Sequence, residues 1–127
     1  MGKYGAAALL AATKTAERRG TNPRDTWNEV MKQVFPDAVA SQTKSCPRDA
    51  FLSLCELGVV KGVPPGTYTK SLRNKEYIGR ALRALRADPR LTTEKGRLWA
   101  IAVEGADKRE NGQLDVLVEL WEAKWVK

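Results

Sequence analysis

The 127-residue chain has no histidine, only two cysteines, and no apolar stretch longer than Ala6–Ala12. The missing histidine removes the commonest general base and metal ligand. Two cysteines without histidine cannot complete the usual four-ligand zinc site. Cys46 and Cys55 lie nine residues apart on what reads as one helix. At about 100° per residue they face opposite ways, which argues against an internal disulfide and fits a reducing compartment.

The apolar stretch is far short of the ~20 residues a membrane helix needs. Lys14, Glu17, Arg18 and Arg19 interrupt any secretory h-region. Ala6 stands where myristoylation at Gly2 would require Ser or Thr. These absences predict a cytoplasmic protein with no targeting segment and no membrane contact. No Walker loop, dinucleotide fingerprint, zinc-finger spacing, RRM motif or KH loop is present. Ser41-Gln42-Thr43-Lys44 fits the SxxK spacing of penicillin-binding enzymes, but the companion SDN and KTG elements are missing. A surface loop accounts for so short a pattern. No cofactor and no metal are implied, and no reaction is indicated.

What is present suits an ordinary folded domain. Hydrophobic residues make up 43% of the chain, with four tryptophans, and a chain of this length buries about two-thirds of its unfolded surface. Punctuation divides it into about six helices. The first spans Lys3–Arg19 and stops at Gly20. Asn22-Pro23 caps the second, whose Trp27, Val30, Met31 and Val34 recur at i, i+3, i+4 and i+7. Pro36 ends it, and residues 37–45 read as a polar loop.

Cys46-Pro47 opens the third helix with Cys46 as N-cap; its inward set is Ala50, Phe51, Leu54, Cys55 and Leu57. Residues 59–69, around Pro64-Pro65-Gly66, read as a small β-hairpin or an ordered loop. Ser71 or Asn74 caps a fourth helix that runs to Ala87. A fifth covers about Thr93–Glu104, with Leu98, Trp99, Ile101 and Ala102 as its apolar set. The sixth covers about Gln113–Ala123, with Leu114, Leu117, Val118 and Trp121 inward. The expected fold is therefore all-α: one domain over residues 1–127, a compact bundle of about six helices with at most one small β-hairpin at 59–69. Trp27, Trp99 and Trp121 are expected in the core. Trp125 either docks the C-terminal segment or stays exposed for a partner.

Charge is unevenly placed. Residues 41–97 hold twelve basic and five acidic side chains, a net +7, against +2 for residues 1–40 and −2 for residues 98–127. Concentrated charge steers anionic partners. On a helical wheel of the fourth helix, Tyr77, Ile78, Ala81, Leu82, Ala84 and Leu85 fill one half. Arg73, Lys75, Arg80, Arg83 and Arg86 occupy most of the other. Guanidinium forks match phosphates bidentately. With Lys61 and Lys70 at the edge, this stripe is a candidate contact for DNA or RNA phosphates, and a hairpin beside it would act as a wing on a duplex. A solvated helix face explains the same residues, and an acidic protein surface would also suit them. Cys46, near Lys44 and Arg48 at a helix start, is a candidate reactive thiol, though capping is the simpler role. Asp49, Glu56, Glu104 and Asp115 show no pairing that spacing alone establishes.

The chain also resembles a family of small single-domain bacterial proteins known only as a domain of unknown function. The resemblance starts at Gly2-Lys3-Tyr4-Gly5 and at Asn22-Pro23 with Trp27. It is densest at Ser41-Gln42, Cys46-Pro47-Arg48, Ala50-Phe51-Leu52, Leu54-Cys55-Glu56, Gly58 and Val60-Lys61-Gly62. Beyond these it takes in Pro64, Gly66, Tyr68-Thr69, Ser71, Asn74-Lys75, Tyr77, Asn111-Gly112-Gln113, Asp115-Val116 and Leu120-Trp121. Ser45 and Ser53 depart from it, where glycine is expected. The resemblance implies a complete single-domain chain and carries no activity. It directs attention to a shared polar site of Ser41, Gln42, Cys46, Tyr68 and Asn74, because Arg80, Arg83 and Arg86 lie outside the shared pattern. Three functional classes follow: a nucleic-acid-binding module, a module that docks a bacterial or phage-encoded protein through the hairpin and Trp125, and a small enzyme using the Ser41/Gln42/Cys46 region.

Overall fold

A computed structural model describes residues 2–127. Its helices are α1 (Lys3–Glu17), α2 (Pro23–Val34), α3 (Val39–Gln42), α4 (Ser45–Glu56), α5 (Leu72–Ala87), α6 (Lys95–Ala102) and α7 (Gln113–Glu122), with a 3-10 turn at Pro89–Thr93. The fold is an all-α bundle of six principal helices. The four-residue α3 lies inside the stretch expected to be a polar loop.

Helix α4 is the central element, lying against α2, α5 and α7. Being covered on several sides, it buries every residue from Asp49 to Cys55. That explains two departures from the expected inward set. Leu52 and Ser53 are buried, while Leu57, at the C-cap where the chain turns outward, is 53% exposed. The helix also starts earlier than expected. Lys44 is the N-cap and Cys46 sits inside the first turn. Pro47 is tolerated there because first-turn N–H groups have no intrahelical acceptor. Helix α1 supplies a smooth alanine face, with Ala7, Ala8, Ala11 and Ala12 fully buried, which lets it lie close against α2 and α7.

Asn22 caps α2 as expected, its Oδ1 accepting the Arg24 N–H at 2.9 Å. Trp27 stacks on Phe51 with ring centroids 5.3 Å apart. Helix α6 buries Leu98, Trp99 and Ala102, but Ile101, expected inward, is 41% exposed. The indole N–H of Trp99 donates to the Lys108 carbonyl at 2.6 Å and ties down the loop before α7.

The 59–69 hairpin does not form. Its second arm is short of donors for a ladder: Pro64 and Pro65 carry no N–H, and the N–H groups of Tyr68 and Thr69 donate to Glu56 Oε1 at 2.8 and 3.2 Å. The segment is an ordered loop. Val60 pairs instead with Val126 in an isolated antiparallel bridge, held by Lys61 N–H to the Trp125 carbonyl (2.9 Å) and Lys127 N–H to the Val59 carbonyl (2.7 Å). Half-buried Trp125 packs against the core, so the C-terminal segment is docked. Glycine is needed where the loop folds back. At Gly62 the backbone is left-handed (φ 76°), and a Cβ there would lie 2.8 Å from Ala16 Cβ.

Candidate functional site

Helix α5 presents the amphipathic division that its sequence predicts. Ile78, Ala81, Leu82 and Leu85 are buried, together with Asn74. The outer cations divide into two groups. Lys75 Nζ lies 2.5 Å from Glu56 Oε2. Arg80 donates through Nε to the Ala102 carbonyl at 2.6 Å, and its Nη1 is 2.8 Å from Glu104. These two side chains bind α5 to α4 and to the end of α6. Arg73 and Arg83 are exposed and have no carboxylate partner among the described residues. Exposed Arg86 donates only to the Lys127 carbonyl, at 2.8 Å. Lys61 and Lys70 are exposed, at the bridge to Val126 and before α5 respectively.

A polar network runs beneath that helix. Glu56 anchors the loop through Tyr68 and Thr69 and pairs with Lys75. Buried Asp49 accepts from the Thr69 hydroxyl at 3.1 Å and from Arg48 Nε at 3.2 Å. Thr69 Oγ1 in turn accepts the Ser71 N–H at 3.2 Å. Ser71 caps α5, its hydroxyl accepting from Asn74 N–H and Nδ2. Asn74 Oδ1 accepts from the fully buried Gln113 Nε2 at 3.2 Å, and Gln113 Oε1 accepts the Asn111 N–H at 2.6 Å. Burial pushes the Glu56 carboxyl up, but its bonds to Lys75, Tyr68 and Thr69 outweigh that and hold it below the ordinary carboxylate range. The network thus joins α4, the loop, α5 and α7 using Glu56, Tyr68, Thr69, Ser71, Asn74, Lys75, Asn111 and Gln113. These are residues through which the chain resembles a family.

The match is decided over the full length: the model of the family described as "Family of unknown function (DUF6979)" covers residues 1–127. The chain belongs to that family. No curated protein and no solved structure matches it.

Within this family member, the five residues of the expected shared polar site fall into two places. Tyr68 and Asn74 belong to the network above. Tyr68 also donates its hydroxyl to the Pro64 carbonyl at 2.8 Å. Ser41, Gln42 and Cys46 lie at α3 and the start of α4. There the Ser41 carbonyl accepts from Tyr4 Oη (3.0 Å), and Gln42 Nε2 donates to the Phe35 carbonyl (2.7 Å). No hydrogen bond among the described residues joins the two groups. Cys46 is half-buried and Cys55 fully buried, both free, and burial pushes the Cys55 thiol well above its usual range. No group of three or more His, Cys, Asp or Glu among the described residues is placed to hold a metal ion. No helix among them is long and apolar enough to cross a membrane.

The chain's ends contribute a feature that residue spacing did not reveal. Arg86, Trp121, Lys124, Val126 and Lys127 line a groove of about 550 Å³ at the C-terminal end of α5. Trp121, expected inward, is half-buried and lines this groove. The last helix and the tail carry an acidic excess in sequence, which hid the local basic cluster. It forms because the Val60–Val126 bridge brings the tail back beside α5.

Proposed function

We propose that this chain is a non-enzymatic nucleic-acid-binding module, a single all-α domain working in the cytoplasm. Arg73, Arg83 and Arg86 on α5 contact backbone phosphates, with Lys70 and Lys61 extending the positive surface. Lys124 and Lys127 add to it at the far end. Lys75 and Arg80 hold the fold and add only their field. The observation that carries this reading is the groove at the end of α5, where three cations surround one accessible indole. Cations that follow a backbone, beside an aromatic face on which a base stacks, are the recurring elements of single-strand binding. With no hairpin to serve as a wing, the preferred ligand is a single strand and not a duplex.

The test is fluorescence anisotropy with short single-stranded and duplex oligonucleotides of one sequence across a salt series. Affinity for the single strand should fall steeply and linearly on a log–log plot. The combined Arg83→Glu and Arg86→Glu variant should flatten that slope, and Trp121→Leu should weaken the single strand by about 1–3 kcal/mol. Absence of binding at low salt, or indifference to the charge reversals, would refute the reading. An acidic protein surface would meet the same cations but would show no stacking contribution from Trp121.

A further inference from the structure

A second basic site lies at the other end of α5, built from parts of the chain that are remote in sequence. A cleft of about 470 Å³ opens between the start of α2, the first turns of α4 and the loop leading into α5. Arg24 enters it from α2, Arg48 from α4, and Lys70 from the loop. A solvated helix face explains cations that share one helix. It does not explain three cations from three elements converging on one concavity.

We propose that this cleft binds a phosphate group, as the free anion or as a terminal phosphate monoester. Both guanidiniums are held by one contact each and keep donors in reserve. Arg24 gives Nη2 to the Tyr68 carbonyl at 3.1 Å. Arg48 gives Nε to Asp49 Oδ1 at 3.2 Å, and its two terminal nitrogens have no acceptor among the described residues. Lys70 is exposed and likewise has no partner there. A guanidinium fixed on one edge with its remaining donors free is preorganised for a bidentate oxyanion.

Asp49 is the only carboxylate in the lining. At 6% exposure it gives Oδ1 to both Thr69 and Arg48, so it orients the arginine, and its one negative charge is set against the three cations. Glu56, the neighbouring acid, is neutralised by Lys75 and lies outside the lining. Three cations against one carboxylate leave the lining two positive charges in excess, which matches a phosphate dianion. Asn22 and Ser71, the N-caps of α2 and α5, complete the rim and place the positive ends of two helices beside the cations.

This site does not depend on nucleic-acid binding by the rest of α5, and the test keeps the two apart. Isothermal titration calorimetry with inorganic phosphate and with pyrophosphate at low salt should give saturable one-to-one binding. Arg48→Gln and Arg24→Gln should each weaken it by about tenfold, and Lys70→Gln, which alters no internal contact, by several-fold. Arg109→Gln, an exposed change of equal charge in another loop, should leave it unaltered. A parallel arm compares oligonucleotides bearing a 5′-phosphate with the same oligonucleotides bearing a 5′-hydroxyl. An advantage for the phosphorylated end that disappears in Lys70→Gln identifies a strand terminus as the source, and binding of the inorganic anions alone identifies a small ligand. The proposal is overturned if neither probe binds, or if Arg109→Gln weakens binding as much as Lys70→Gln does. That result would reduce the effect to net charge.

Discussion

Lys75 Nζ stands 2.5 Å from Glu56 Oε2 while the other oxygen of the same carboxylate holds the N–H groups of Tyr68 and Thr69. One side chain of the basic helix is therefore a structural partner of the central helix, and the loop between them hangs on that pair. Glu56→Ala should cost on the order of 2–4 kcal/mol, because it leaves a partly buried ammonium and two loop N–H groups without acceptors. Chemical denaturation measures this. Hydrogen exchange should localise the loosening to the amides of Tyr68 and Thr69.

The same carboxylate sets a pH dependence. Its folded pKa is lowered, so its contribution is complete above the unfolded value of about 4.3 and is lost as pH falls through the lower folded value. Denaturation midpoints followed into acid should show wild type losing stability across that window. Glu56→Gln, which cannot titrate, should start lower at neutral pH and fall less.

Arg80 and Arg83 are three residues apart on one helix and should behave oppositely. Arg80→Ala breaks the contacts with the Ala102 carbonyl and Glu104, and should destabilise the fold by about 1–3 kcal/mol. Arg83→Ala removes a side chain with no internal partner among the described residues, and should stay within about 0.5 kcal/mol. Measured together with nucleic-acid affinity, Arg83→Ala should lower affinity without altering the denaturation midpoint.

The two cysteines should separate under thiol labelling. Cys46 is half-buried and Cys55 fully buried with its thiol pKa raised by burial. A maleimide at neutral pH should modify Cys46 and leave Cys55 untouched until the domain unfolds. Mass spectrometry reads one addition in buffer and two in denaturant.

The helices were legible because their signals are local. Asn22-Pro23 starts α2, Ser71 caps α5, Gly112 precedes α7, and a buried stripe follows each. The errors arose where neighbours distant in sequence intervened. Leu52 and Ser53 are buried because α4 is surrounded on several sides, a property of the other helices and not of its own pattern. Of the two readings open for residues 59–69, the ordered loop is the one realised, and Glu56, twelve residues before Tyr68, holds it through the N–H groups of Tyr68 and Thr69. The network residues stood out through family resemblance, but a shared pattern does not say whether a polar residue serves chemistry or architecture. Hydrogen bonds place Asn74 and Gln113 inside the frame.

By itself the sequence determined the all-α class, the main helix positions and the amphipathic division of α5, since periodicity and capping act within a few residues. Only the tertiary structure decided how the positive charge is used. Asp49, Glu56, Glu104 and Asp115 each found a cation, Arg48, Lys75, Arg80 and Lys95 respectively, in most cases across large separations in sequence. Coulomb and hydrogen-bond energies depend on separation in space. The cations with donors still free, and the two ends of α5 where they gather, exist only once the chain is folded.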